Sequence, residues 1–332
     1  MKVLVTGASG MLGRQTAEAL AARGDDVTVL QRRPSGLGLR EVLGDVADAP
    51  FVAAAVRGHD AVVHLAAKVD VTGRWADYER ANVRGTTNVV EACRAGGVAR
   101  LVHVSSPSVA HAGAALVGAG AGRADPPRAR GHYARSKALA EQAALAADTG
   151  PLAVLAVRPH LVWGPGDTQL IGRIVARARA GRLPVIGSGA ALIDSTYVSN
   201  AVDALVAALD RCEAARGDAY VVSNGEPRPV GELIGDICRA SGVAAPTRHV
   251  PFPVAALAGA AVDAVWATRL ALPGLPTPGD PPLTRFLAEQ LATAHWFDQR
   301  RTRSALEWTP RVSLAEGLAA LARAAGGEQK RP

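Results

Sequence analysis

Along the first half of the chain, short runs that are apolar throughout alternate with longer stretches whose apolar residues recur every three or four positions. The runs fall at 2–6, 27–30, 61–65, 101–104 and 152–157 and are rich in Val and Leu. Between them, 11–23, 51–57, 82–95 and 133–147 carry helical spacing, and the first of these stops at Gly24. A strand buried on both faces has no polar side to show. Uninterrupted apolar runs separated by helices therefore predict a parallel sheet covered on both faces. The expected fold is α/β, a doubly wound parallel sheet of the Rossmann type with a smaller, mixed C-terminal lobe.

Beyond Trp163 the regularity fades, and the 164–166, 181–190 and Pro-rich 273–282 stretches cut the chain into shorter pieces. This predicts a main-sheet domain from 1–165 plus 192–222, a second lobe from 166–191 plus 223–325, and a disordered tail at 326–332. Residues 111–131 are mostly Ala, Gly, Pro and Arg without periodicity. A loop of that length in a compact domain is more often functional or mobile than structural. The segment 250–272 is the only membrane-like stretch, but Asp263 and Arg269 interrupt it. Its apolar run falls short of the roughly 20 residues a span requires. A buried or substrate-facing helix is expected there, with a surface-lying membrane or pathway-enzyme contact as the alternative.

Composition narrows the picture. The 332 residues are 48% hydrophobic and 20% charged, which excludes wholesale disorder and allows one large domain or two coupled ones. Aromatics are only 4%, so Ala, Val and Leu must build the core. Cys93, Cys212 and Cys238 lie far apart with no CxxC pair and read as buried, reduced thiols. The eight histidines show no HxxH or HxxxH spacing, so no protein-built metal site is expected. Lys2 leads straight into an apolar strand without a targeting pattern, as in a cytoplasmic protein. The net charge of +7 comes mainly from dispersed arginines, and the densest cluster, Arg300, Arg301 and Arg303, sits beside Asp298 and Glu307. That is a solvated mixed surface, not a nucleic-acid face.

The chemistry begins at TGASGMLG, directly after the first strand and at the opening of the first helix. Gly7 suits the tight turn, Gly10 lets a pyrophosphate approach the backbone, and Gly13 permits close helix–strand packing. The helix N-terminus then faces the phosphate charge. An acid about 20 residues further on would accept from the ribose 2′-hydroxyl of NAD. The second strand ends instead in Gln31-Arg32-Arg33. Arg32 can pair with a 2′-phosphate, with Arg33 and Arg14 nearby, so NADP(H) is expected over NAD(H). Asp45 can accept from an adenine amino group while Val46 packs on the ring, and Ala66 and Ala67 leave room for a nucleotide.

Tyr133 and Lys137 are separated by one helical turn and can share a cleft. By chance about 0.05 such pairs would arise in a chain with this many Tyr and Lys, so the spacing carries information. An ammonium beside the phenol stabilises the phenolate and brings its pKa toward a useful acid–base range. Ser105 and Ser106 end the 101–104 strand at the carboxyl edge of the sheet, and either hydroxyl can bond a reacting substrate oxygen. No Gly-x-Ser-x-Gly elbow surrounds them, which disfavours a nucleophile.

In order and spacing, TGASGMLG, the Ser before the loop, Tyr-x-x-x-Lys and RPHLVWGPGD resemble the extended short-chain dehydrogenases/reductases. Within that class the chain resembles the 3β-hydroxysteroid dehydrogenase/isomerase family over essentially its full length. The resemblance implies Ser106, Tyr133, Lys137 and Asn82 as the catalytic set, Asn82 supporting the Lys directly or through water. It implies nucleotide contacts at Gly7, Ser9, Gly10, Met11, Leu12, Gly13, Arg32, Asp45, Val46, Ala66, Ala67, Lys68, Tyr133, Lys137 and Pro159, and a homodimer. The stretches DSTYVSNA, VSNGEP and LTRFLAEQLATAHWFDQRRTRSALEWTPRVSLAEGL are most similar to the branch holding the 2-alkyl-3-oxoalkanoate reductases of long-chain olefin biosynthesis. The implied reaction is NADP-dependent reduction of a 3-oxo group with Tyr133 as proton donor. Sterol 4-carboxylate 3-dehydrogenation is the runner-up, and sugar epimerisation a further alternative. Pro107-Ser108 stands where sugar dehydratases carry Asp-Glu after their catalytic Thr, which argues against dehydration. Between 251 and 291 lie Phe252, Trp266, Leu270, Leu272, Leu283, Phe286, Leu287 and Leu291, with Arg269 and Arg285 as candidate partners for a carboxylate. That lobe suits an apolar 3-oxo small molecule.

Overall fold

The apolar runs of the N-terminal half become strands in the computed structural model, which describes residues 1–70, 72–111, 113–271, 281 and 283–328. β1 (Lys2–Thr6), β2 (Asp26–Gln31), β3 (Arg40–Leu43), β4 (Ala61–His64) and β5 (Arg100–Val104) come first. They are separated by α1 (Met11–Ala22), α2 (Ala49–Val56), the short α3 (Trp75–Tyr78) and α4 (Gly85–Gly96). Between α3 and α4, Glu79–Arg84 forms a π-helical turn. β6 (Leu116–Ala119), α5 (Gly131–Leu145), β7 (Ala153–Pro159) and β8 (Val162–Trp163) follow. The chain continues with α6 (Ile171–Arg179), β9 (Val185–Ile186), β10 (Leu192–Ile193), β11 (Thr196–Tyr197), α7 (Val198–Asp210) and β12 (Ala219–Val222). It closes with β13 (Arg228–Pro229), α8 (Val230–Ala240), β14 (His249–Val250), α9 (Phe252–Ala271), α10 (Arg285–Ala292), β15 (His295–Phe297), α11 (Arg300–Leu306) and α12 (Leu314–Glu328).

Seven strands form one sheet in the order β12-β7-β5-β4-β1-β2-β3, with every pairing parallel. Alternate residues of each strand face opposite sides, so the continuous apolar runs feed two cores. Val3, Val5, Val29, Val63, Val102 and Leu155 pack on one face with Leu20 of α1 and Leu205 and Leu209 of α7. Leu4, Leu30, Val62, Leu101 and Val154 pack on the other with Val52 of α2 and Val89 and Cys93 of α4. All three cysteines are buried thiols. The chain leaves β1 toward β2 on one side and returns to β4 on the other. The crevice at that reversal, outside the carboxyl ends of the strands, is where ligands of such sheets bind.

The second half departs from the sequence reading in several places. Leu116–Ala119, inside the stretch read as an aperiodic loop, is strand β6 and pairs with β15. A small sheet then runs β13-β10-β15-β6, so 192–193 belong to it and not to the main sheet. Leu306 and Trp308, from the segment assigned to the second lobe, pack into a main-sheet core. These pairings join residues far apart in sequence, which local periodicity does not register. α12 runs through Glu328, so helix replaces the disordered tail expected from 326, and 329–332 lie outside the described residues. Most of the Pro-rich stretch and Leu272 also lie outside them.

From the 250–272 segment, α9 is a surface helix and not a buried one. On one side of α9, a Cβ on Gly259 would stand 2.6 Å from the Arg285 nitrogen, so α10 packs directly on it. On the other side Val254, Leu257 and Val265 are exposed, Leu257 by 75%. Among the described residues no helix is long and apolar enough to cross a membrane.

Candidate active site

The glycines divide their work as the close contacts require. Gly7 has φ +81°, and a Cβ there would meet the Ala66 nitrogen at 2.7 Å, so both the turn and the approach of the β4 loop exclude a side chain. A Cβ on Gly13 would lie 2.4 Å from the Gly7 carbonyl oxygen, which makes Gly13 a packing glycine. A Cβ on Gly10 meets only that same oxygen at 3.7 Å, and the space in front of the turn stays open. α1 begins there with no side-chain cap and no acidic residue in its first turn, as an anion site needs. Ser9 and Gly10 are exposed, and Met11 and Leu12 half-buried, around this turn.

Thr6 and His64 lock the turn to the sheet. The Thr6 hydroxyl accepts from the Ala66 N–H at 3.0 Å and stands 2.8 Å from His64 Nδ1, while His64 Nε2 reaches the Thr86 hydroxyl at 3.0 Å. Burial, aided by the charge of Lys137, pulls the His64 pKa down to about 3. It is a neutral ring, able to accept at one nitrogen and donate at the other.

At the end of β2, Arg32 and Arg33 are exposed, and their side chains have no hydrogen-bond or ion-pair partner among the described residues. The Arg14 guanidinium instead donates to the Ser35 carbonyl and shapes the loop. Asp45 accepts from Arg80 at 2.8 Å and from the Ala47 N–H at 2.9 Å, and Val46 is buried beside Gly85. Ala66, Ala67 and Pro159 are half-buried at the carboxyl ends of β4 and β7. The Lys68 ammonium turns to Asp70 and over the Tyr78 ring.

The structure separates the two serines. Tyr133, at the start of α5, has its side chain near enough to Ser106 for that hydroxyl to lower its pKa, and Ser106 Oγ lies 2.9 Å from the Ser108 hydroxyl. Ser105 is buried with an unpartnered hydroxyl. One turn along α5, Lys137 is 3% exposed and donates from Nζ to the Val104 carbonyl at 2.5 Å. Burial draws its pKa from 10.5 to about 8, against the upward pull of Glu141. The expectation that the Tyr133 pKa falls is not met: burial raises it, and the Ser106 hydrogen bond only offsets part of the rise.

Asn82 lies in the π-helical turn and is buried. Such turns concentrate at functional sites because the widened ring re-aims a side chain. Its amide accepts from the Lys68 N–H at 2.7 Å and donates to the Lys68 carbonyl at 3.0 Å and to Ser136 Oγ at 2.8 Å. Ser136 in turn donates to the Tyr133 carbonyl. Direct support of Lys137 by Asn82 is thus replaced by a clamp that ties the β4 loop to α5. One turn beyond Lys137 along the same stripe of α5, Glu141 and Arg158 form an ion pair exposed by only 1% each, and the Arg158 fork also reaches the Ala121 and Gly122 carbonyls. This fixes α5 against β7 and against Ala121 and Gly122.

Histidines that sequence reasoning passed over line the lobe side. His111, five residues beyond Ser106, lies 2.6 Å nitrogen to nitrogen from His295 of β15 and packs edge-on to Phe286. His160, directly after Pro159, meets Asp194 at 2.7 Å. The available signals were RPH and DSTYVSNA, read only as resemblance. Phe286 and Leu287 are half-buried on this side, whereas Arg269 is exposed and Arg285 is engaged by Glu289 at 3.0 Å. Among the described residues no cluster could hold a metal ion.

Fold and site together define an oxidoreductase of the extended short-chain dehydrogenase/reductase class. The chain belongs to the NAD dependent epimerase/dehydratase family, matched over residues 3–223. It is 42% identical over 328 residues to a 2-alkyl-3-oxoalkanoate reductase of Stenotrophomonas maltophilia, covering 96% of this chain and 97% of that protein. It is 31% identical to the human sterol-4-alpha-carboxylate 3-dehydrogenase (decarboxylating), covering 95% and 85%. Among solved structures, MoeE5 in complex with UDP-glucose and NAD superposes with a TM-score of 0.74 at 28% identity, covering 99% of this chain and all of that one.

Proposed function

We propose that this chain is an NADP(H)-dependent reductase that converts the 3-oxo group of a long-chain 2-alkyl-3-oxoalkanoate to the 3-hydroxy acid. The observation that carries this reading is Tyr133, placed beside Ser106 and one helical turn from Lys137, with a hydroxyl whose pKa burial raises. A phenol that keeps its proton at neutral pH suits donation to a carbonyl oxygen. Ser106 orients that oxygen and Tyr133 delivers the proton. Lys137, an ammonium one turn along the helix, stabilises the phenolate that remains. A dihydronicotinamide, when bound, supplies the hydride. The Gly7–Gly13 turn and the α1 N-terminus would hold its pyrophosphate, and the exposed Arg32 and Arg33 a 2′-phosphate. The similarity to the Stenotrophomonas reductase supports the substrate class, as does the half-buried Phe286 beside His111. The human relative makes a sterol 4-carboxylate the second reading.

Oxidation of NADPH and NADH by the purified chain tests the proposal, with 2-alkyl-3-oxo acids of increasing tail length and a 3-oxosteroid as substrates. NADPH should be preferred. Each buried methylene is worth about 0.8 kcal/mol, so kcat/KM should rise a few-fold per carbon until the cleft is full. Flat kcat/KM across the series, or faster turnover of the steroid, overturns the assignment.

A further inference from the structure

The buried acid–imidazole pair beside the strand ends has no part in the chemistry described so far. His160 leaves β7 at its carboxyl end, next to the end of β5 where Ser105 and Ser106 stand. Asp194 is completely buried. Its Oδ1 meets His160 Nδ1 at 2.7 Å, and its Oδ2 accepts from Ser223 Oγ at 2.7 Å and from the Phe297 N–H at 3.1 Å. Among the described residues no Lys or Arg pairs with it. With Oδ1 on His160 Nδ1 and Oδ2 holding two donors, Asp194 fixes the ring in orientation. Phe297 packs edge-on against that ring at 5.0 Å. His160 itself is only 6% exposed, and its Nε2 has no partner among the described residues. That nitrogen belongs to a residue at the carboxyl end of β7, the edge of the sheet where ligands of such folds bind.

The side chains first expected to bind a substrate carboxylate are turned elsewhere: Arg285 is 57% exposed and pairs with Glu289, and Arg269 is exposed on α9. His111 and His295 share one N–H···N hydrogen bond, which requires at least one of them to be neutral.

We propose that the His160–Asp194 pair is the carboxylate-binding site for the substrate, His160 donating Nε2–H to the acid and Asp194 acting as the positioning residue that supplies the counter-charge. This rests on the 2-alkyl-3-oxoalkanoate reading and makes His160 its specificity-determining residue. The pairing also serves the substrate's own chemistry. A β-keto acid loses carbon dioxide most readily through its neutral carboxyl group, and a hydrogen-bond donor on the carboxylate favours its ionised form until the 3-oxo carbon is reduced.

The test titrates the nicotinamide-loaded protein with a 2-alkyl-3-hydroxy acid and with its methyl ester, in the wild type and in His160→Gln. A charge-assisted hydrogen bond predicts that the wild type binds the acid about tenfold to a hundredfold tighter than the ester. The variant should erase that difference and leave ester affinity unchanged. On the unsubstituted protein, 15N-histidine NMR should show the acid, and not the ester, shifting the Nε2 resonance of His160. An acid–ester difference that survives in His160→Gln, or that is absent from the wild type, overturns the proposal. So does a variant that loses cofactor affinity while keeping acid-over-ester selectivity. Failure of the functional reading is seen separately, as no NADPH or NADH oxidation by any 2-alkyl-3-oxo acid in the wild type.

Discussion

Lys137 should be a residue the fold keeps at the expense of its own stability. Its ammonium is almost completely buried with one hydrogen-bond acceptor, the Val104 carbonyl, and burial takes its pKa from 10.5 to about 8. That drop corresponds to roughly 3 kcal/mol held against the charged form in the folded state. The unfolded chain keeps the proton to higher pH than the folded one. Stability therefore rises between about pH 8 and 10.5, and below pH 8 the penalty is fully present. Lys137→Met preserves most of the stem volume and removes the charge, but it leaves the Val104 carbonyl without its donor, which returns about 1–2 kcal/mol. The variant should be more stable than the wild type by about 1–2 kcal/mol at pH 7, and inactive. Urea denaturation of both proteins without cofactor, at pH 7, 8.5 and 10, measures this directly. The gap should shrink as pH rises. A variant less stable than the wild type at pH 7, or a gap independent of pH, refutes the reasoning.

Two further outcomes separate the catalytic role from the cofactor role. Tyr133→Phe should lower turnover by at least about 10²-fold, the usual size of a lost acid–base group, while cofactor titration stays near wild type; near-normal turnover removes Tyr133 from the chemistry. Arg32→Ala should weaken NADPH by about tenfold to a hundredfold, as expected for a lost charge-assisted contact, and leave NADH almost unmoved. Equal weakening of both cofactors would mark Arg32 as a structural residue.

Much of the nucleotide half was legible because its determinants are local. A strand buried on both faces announces itself as an apolar run, and a turn that needs Gly7 and Gly13 tolerates nothing larger. Tyr133 and Lys137 are joined by helical geometry alone, so their spacing was informative before any coordinates. The assignment of Ser106 over Ser105 was different. Both follow the same strand, and only the packing of α5 brings the Tyr133 hydroxyl to one of them. The direction of the Tyr133 pKa was misjudged for the same reason. The sequence displays the Lys expected to lower it, but not the burial that raises it.

The lobe shows the opposite limit. His111, His160, Asp194 and His295 are spread over 185 residues, with no spacing rule that connects them. They meet because β6 pairs with β15 and because β7 and β10 deliver their ends to one region. By itself, the amino-acid sequence determined the parallel sheet, the glycine turn and the Tyr–Lys helix, since each rests on neighbours within a few turns of chain. Which serine faces the phenol, how far burial shifts the titrating groups, and which polar atoms surround the substrate were decided by non-local packing. Only the tertiary structure sets the desolvation and the long-range hydrogen bonds on which those properties depend.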